Sequence, residues 1–185
     1  MLVTAPTAPV NGFDPDALER TVAAVQQDPA RGQASFLVKT EWKGRMRSES
    51  VVQSATRAGG VLPRRFTVAS DEPAEMLGED GAPNPQELLM SAVNACMVVG
   101  YVMEATRRGI QLTACRIETS GELDLRGFLG LDDHIPAGYR RISYTVWLDA
   151  DGSRQELEDI HQAVTATCPN YFNMAQPIQM VGRLA

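Results

Sequence analysis

Hydrophobic and polar positions change period several times along the chain, and each change predicts an element. From Ser35, the residues Phe36, Val38, Thr40 and Trp42 alternate with Leu37, Lys39 and Glu41, the two-residue period of a half-buried strand. Gly44 permits a turn or bulge, and a second strand is predicted over about 45–53, with Arg45 and Arg47 on one face. Gly59-Gly60 marks a further turn before a third strand over about 65–70. Links this short make the three strands an antiparallel meander. At Asn84 the period lengthens. Asn84, Pro85 and Glu87 are the residue types favoured at the cap, first position and first turn of a helix. Leu89, Ala92, Cys96, Val99 and Met103 then recur at three- and four-residue steps, which predicts one buried face. Arg107, Arg108 and Gly109 supply a stop, so one helix is expected across 84–109.

The two-residue period returns over 111–125, with Cys115, Ile117, Thr119, Leu123 and Leu125 on one side and Gly121 as a bend. It is clearest over 140–149, where Ile142, Tyr144, Val146 and Leu148 face one way. Ser153 and Glu156 have capping-box spacing, and Leu157, Ile160, Val164 and Cys168 predict the buried face of a second helix. Pro169 should end it near Cys168. Residues 170–173 read as a short link and 177–184 as a last strand. Before the first strand, residues 1–13 read as a loose arm, followed by a helix from Asp14-Pro15 to Asp28-Pro29 with Ala17, Leu18, Val22 and Val25 on its apolar stripe. The order is that of an α+β domain over 34–185, preceded by an N-terminal arm and helix over 1–33.

Composition narrows the function. The 185 residues carry a net charge of −6 without a basic face, which argues against a nucleic-acid partner. The most apolar run, Ala92 to Met103, is interrupted by Asn94 and reads as too short for a bilayer. The first residues lack the basic region and apolar segment of a secretory signal, so a cytoplasmic location is expected. Three cysteines do not make a disulfide scaffold in a chain of this size. No metal site is expected, because the two histidines and three cysteines lack the paired spacings of zinc ligands. No phosphate loop, dinucleotide fingerprint or nucleophile elbow is present, and no cofactor is expected.

The chemistry candidates are thiols. Cys96 lies in the middle of the long helix and Cys168 ends the other, each at a position equally suited to packing. Cys115, on a strand, reads as core. His161 shares a helix face with Cys168, as a base beside a thiol or as a packed residue.

Four stretches together, Asn84-Pro85-Gln86-Glu87-Leu88-Leu89, Asn94-Ala95-Cys96, Arg108-Gly109-Ile110 and Thr167-Cys168-Pro169-Asn170, resemble the OsmC/Ohr family of thiol peroxidases, in its broad OsmC-like branch. The resemblance covers about residues 34–184. It implies an OsmC-like fold, with antiparallel sheets wrapped around long central helices in an intertwined homodimer. It implies that Cys96 attacks a hydroperoxide to become a sulfenic acid and that Cys168 resolves it as a disulfide. A dithiol reductant, lipoyl-type in the organic-hydroperoxide branch, would reset the pair. The family supports its thiolate with an arginine from the N-terminal strands, here Arg47 or Arg45, held by a glutamate at the helix start. This chain departs there: Gln86 occupies the glutamate position, and Glu87 points about 100° away around the helix. The departure leaves a second expectation, a weakly active or non-catalytic member of the fold that binds a small apolar ligand at the dimer interface.

Overall fold

The structure, a computed structural model, describes residues 8–57 and 59–184. The first seven residues of the expected arm lie outside the described ones. Close contacts divide the chain into two compact units, one ending at Leu89 and the other beginning at Met90.

In the first unit, α1 (Pro15–Gln27) is capped by the Asp14 side chain, which accepts the Asp16 N–H. Its apolar stripe is half-buried and no residue of it is fully buried. Three strands follow as the expected meander, longer than the sequence period suggested: β1 (Ala34–Gly44), β2 (Arg47–Arg57) and β3 (Gly60–Ser70), antiparallel in the order β1-β2-β3. Gly44 (φ +103°) and Arg45 (φ +47°) form the first turn, closed by the Trp42 indole N–H on the Arg45 carbonyl. Arg45 is therefore a turn residue and not a member of β2. The expected half-buried face of β1 is open: Phe36 is 80% and Trp42 75% exposed. The loop after β3 hangs on buried Asp71, whose carboxylate accepts the N–H groups of Glu72, Glu79 and Gly81. These bonds hold its acidity above that of an ordinary aspartate against the opposing effect of burial.

The unit boundary falls inside α2 (Pro85–Arg107). Asn84 Oδ1 accepts from Gln86 N and Glu87 N, while Glu87 Oε2 accepts from Asn84 N at 2.8 Å, a reciprocal cap. The helix stops as expected at Gly109 (φ +71°), with Ile110 N–H on Ala105 O and Gly109 N–H on Thr106 O. Its buried stripe differs from the expected one. Met97, Tyr101, Ala105 and Thr106 are buried, whereas Leu89, Val99 and Met103 are exposed. The helix is apolar around most of its circumference, so the three- and four-residue steps fitted more than one stripe. For the same reason α2 meets the length and composition of a bilayer span, which the sequence reading had denied. Met97, Tyr101 and Ala105 are instead fully buried in protein.

In the second unit, β4 (Leu112–Gly121) pairs antiparallel with β5 (Ile142–Ala150). Half-buried residues alternate along both, and Cys115, Ile117, Tyr144, Val146 and Leu148 pack against the core. Leu125 does not continue β4. It opens a short turn of helix, α3 (Leu125–Phe128), because Asp124 caps the chain there. α4 (Arg154–Thr167) has the predicted capping box and buries Ile160 and Val164. Two expectations fail after it. Pro169 ends α4 but also occupies the first position of α5 (Pro169–Ala175), so 170–173 is helix and not link. Residues 177–184 form no strand, since no β4 or β5 edge pairs with them, and Met180 and Leu184 are exposed.

Candidate active site

Two helices bring the thiols together. Where α2 passes α4, Gly100 faces Val164 so closely that a methyl at Gly100 would lie 3.1 Å from Val164 Cγ1. Cys96 is one turn before Gly100 on α2, and Cys168 one turn after Val164 on α4. The close approach therefore places Cys96, half-buried, against Cys168, which is 4% exposed. Cys168 stands close enough to act on the ionisation of Cys96, and neither thiol is in a disulfide.

Asn170 completes the arrangement. Its backbone N–H lies near enough to the Cys96 sulfur to favour the thiolate, and its side-chain Nδ2 donates to the Ala92 carbonyl at 2.8 Å. Burial pushes the Cys96 thiol up, the Asn170 N–H opposes this, and the Cys168 contact adds to it. Among the described residues of the second unit no cation offsets the burial. On the other side of Gly100, the buried Tyr101 hydroxyl meets His161 Nδ1 at 2.5 Å. Tyr144 and Tyr171 stack edge to face beyond it. His161 therefore partners Tyr101. Thr119 Oγ1 donates to Asn94 Oδ1 at 2.5 Å and ties α2 to β4.

A cavity of about 420 Å³ lies in the second unit, lined by neither thiol but reaching residues one turn from each. Its walls include Val93, one turn before Cys96, and Tyr171, one turn after Cys168, together with Met90, Tyr144, Arg140 and Arg141. This is a mainly apolar lining of the size used for small molecules.

The remaining predicted site residues lie in the first unit. Arg45, in its turn, donates to the Leu77 carbonyl and pairs with Glu79 at 3.6 Å. Arg47 opens β2, is exposed, and helps to hold the Asp71 carboxylate ionised. Gln86 occupies the first turn of α2 with an exposed side chain. Among the described residues no group of three His, Cys, Asp or Glu could hold a metal. The sequence places Asn170 within a motif without assigning it a role, and it singles out neither Gly100 nor Tyr101. The four-residue spacings Cys96–Gly100 and Val164–Cys168 were the available signal.

The family profile described as OsmC-like protein matches residues 78–181. Solved structures share the fold at low identity. An OsmC-like protein from Mycoplasma pneumoniae superposes with TM-score 0.61 at 13% identity, over 76% of this chain and 87% of its own. A protein from Psychrobacter arcticus, described as a putative osmotic stress induced and detoxification response protein, gives 0.57 at 15%, over 75% and 88%. A Legionella pneumophila organic hydroperoxide resistance protein gives 0.50 at 17%, over 74% and 86%. No curated relative matches the sequence.

Proposed function

The chain belongs to the OsmC-like protein family, and on that premise we propose that it is a thiol peroxidase that reduces organic hydroperoxides. The observation that carries this reading is the placement of Cys96 and Cys168 one turn either side of the close Gly100–Val164 approach, packed in one cluster. The hydroperoxide resistance protein among its fold relatives supports the substrate class.

In this reading the Cys96 thiolate attacks the terminal oxygen of the hydroperoxide. The O–O bond breaks, the alcohol leaves with a proton, and Cys96 holds a sulfenic acid. The Cys168 sulfur then attacks the Cys96 sulfur, water leaves, and a disulfide remains. A dithiol, of lipoyl type on the family resemblance, reduces that disulfide by two exchanges and departs as its own cyclic disulfide. The mainly apolar cavity one turn from each thiol suits an organic group on the peroxide.

The thiolate needs a cation, since burial alone disfavours it. Arg47 is the better candidate, because Arg45 is engaged by Glu79 and the Leu77 carbonyl. Gln86 would steady that arginine as a neutral partner. We extend the reading to a homodimer, since exposed Phe36, Trp42 and Val99 call for a cover, and to the cytoplasm, whose reducing thiols would turn the disulfide over.

The test is peroxide loss in cumene hydroperoxide with dihydrolipoate. Cys96→Ser should abolish it and Cys168→Ser should permit a single turnover. Equal consumption by Cys96→Ser and the parent would sink the assignment. The raised Cys96 thiol and neutral Gln86 favour one other reading, a weakly active protein that holds an apolar ligand. It predicts ligand binding in the cavity that is indifferent to Cys96→Ser.

A further inference from the structure

We propose that Asn170 is the positioning residue that keeps Cys168 poised on Cys96 for disulfide closure. This rests on the thiol-pair reading above, but not on the identity of the oxidant.

The geometry comes from how α5 begins. Its cap residue is Cys168, whose side chain makes no capping hydrogen bond. Pro169, at the first position, has no N–H to satisfy. The first N–H of α5 that needs an acceptor is therefore that of Asn170, and the sulfur of Cys96, on another helix, lies near it. The Asn170 side chain meanwhile donates to Ala92 O. In an α-helix that carbonyl also accepts the N–H of Cys96 itself. Asn170 thus grips one turn of α2 by the carbonyl that closes it, beside the thiol that ends the same turn. Cys168 is two residues away across a rigid proline, so the grip fixes where its sulfur can stand.

The consequence is kinetic. Closure requires the Cys168 sulfur to approach Cys96 after Cys96 has reacted, while a loose α5 start would let it swing away. Removing the side-chain donor leaves the backbone N–H in place but frees the end of α4 to move.

The experiment uses diamide on the full chain. The Cys96 thiolate adds across the N=N bond of diamide; Cys168 then displaces the reduced nitrogen fragment, leaving a disulfide and a hydrazine. Intact mass distinguishes free protein, adduct and disulfide with time. In Asn170→Ala and Asn170→Asp, neither of which offers the donor, closure should slow about tenfold, the rate equivalent of one hydrogen bond, and the adduct should accumulate. Adduct formation itself should be unchanged in Asn170→Ala, a split that general loosening of the fold would not produce. Closure at the parental rate in both variants overturns the proposal. In the unsubstituted protein, alkylation of Cys96 should shift the Asn170 backbone amide resonance, and an unmoved resonance overturns it as well. A parent that consumes no hydroperoxide would sink the peroxidase reading while leaving the diamide result to stand or fall alone.

Discussion

Gly100 and Val164 meet with less than a methyl group's room between them, 3.1 Å from a Cβ built on Gly100 to Val164 Cγ1. The contact lies one turn from each thiol, so the absence of a side chain at residue 100 sets the separation at which Cys96 and Cys168 can touch.

Gly100→Val should therefore act on stability and chemistry together. Val164 is fully buried, so it has little room to give way. Overpacking here should cost about 1–3 kcal/mol, offset little by the better helix propensity of valine. Urea denaturation reads the first effect. Diamide-driven closure of the Cys96–Cys168 disulfide reads the second, and it should slow even where the variant remains folded. Unchanged closure would show that the thiols are set by something other than the helix approach.

Tyr101→Phe removes the hydroxyl that meets His161 Nδ1. The imidazole loses its partner in a partly closed site, and the variant should be less stable by about 1–3 kcal/mol near neutral pH. The pH dependence has a definite sign. Burial raises the Tyr101 pKa, with Tyr144, Cys115 and Cys168 adding to it. The stability tied to its protonated form is thus fully present below the unfolded tyrosine value, about 10, and is lost as pH rises beyond it. The gap between parent and Tyr101→Phe should narrow above that pH in chemical denaturation. A gap that widens would contradict the burial of this hydroxyl.

The sequence revealed the elements better than the faces. Caps and stops are local chemistry, so Asn84, Gly109 and the Ser153–Glu156 box could be read directly. The buried stripe of α2 could not, because apolar residues surround the helix and only its neighbours choose Met97, Tyr101 and Ala105. The tail was misread for a related reason: Ile178, Met180 and Leu184 alternate like a strand, but a strand also needs a partner edge. Cys96 and Cys168 were legible through their motifs. Their proximity was only hinted at by the four-residue spacings to Gly100 and Val164, because spacing within each helix does not say that the two helices meet there.

Arg47 and Arg45 can be separated by the ionisation of Cys96. The measurement is iodoacetamide alkylation against pH in a Cys115→Ser, Cys168→Ser background, since only the thiolate reacts. Burial pushes this thiol up, and an arginine beside it would bring the midpoint down. Arg47→Ala should raise the midpoint by about 1–3 units, the span of a close opposite charge. Arg45→Ala should leave it in place, because Arg45 is already held by Glu79 and Leu77. An unmoved midpoint in Arg47→Ala would remove it from the mechanism.

Gln86→Glu tests the departure at the start of α2. Glu87 cannot stand in for the missing carboxylate, because its Oε2 is engaged by the Asn84 N–H at 2.8 Å. A glutamate at residue 86 would instead be exposed and uncommitted, in a first turn that favours negative charge by about 0.3–1 kcal/mol. It should leave the fold intact and hold an arginine by a charge-assisted bond in place of a neutral one. If that arginine supports the Cys96 thiolate, kcat/KM for cumene hydroperoxide should rise about tenfold, and the alkylation midpoint of Cys96 should shift with it. The gain should vanish when Arg47→Ala is added, since the carboxylate acts only through its partner. Glu87→Gln is the control: it weakens the cap and lowers stability by about 1 kcal/mol, without the coupled change in rate and midpoint. A Gln86→Glu protein no faster than its parent would mean that this carboxylate position does not govern the thiol in this chain.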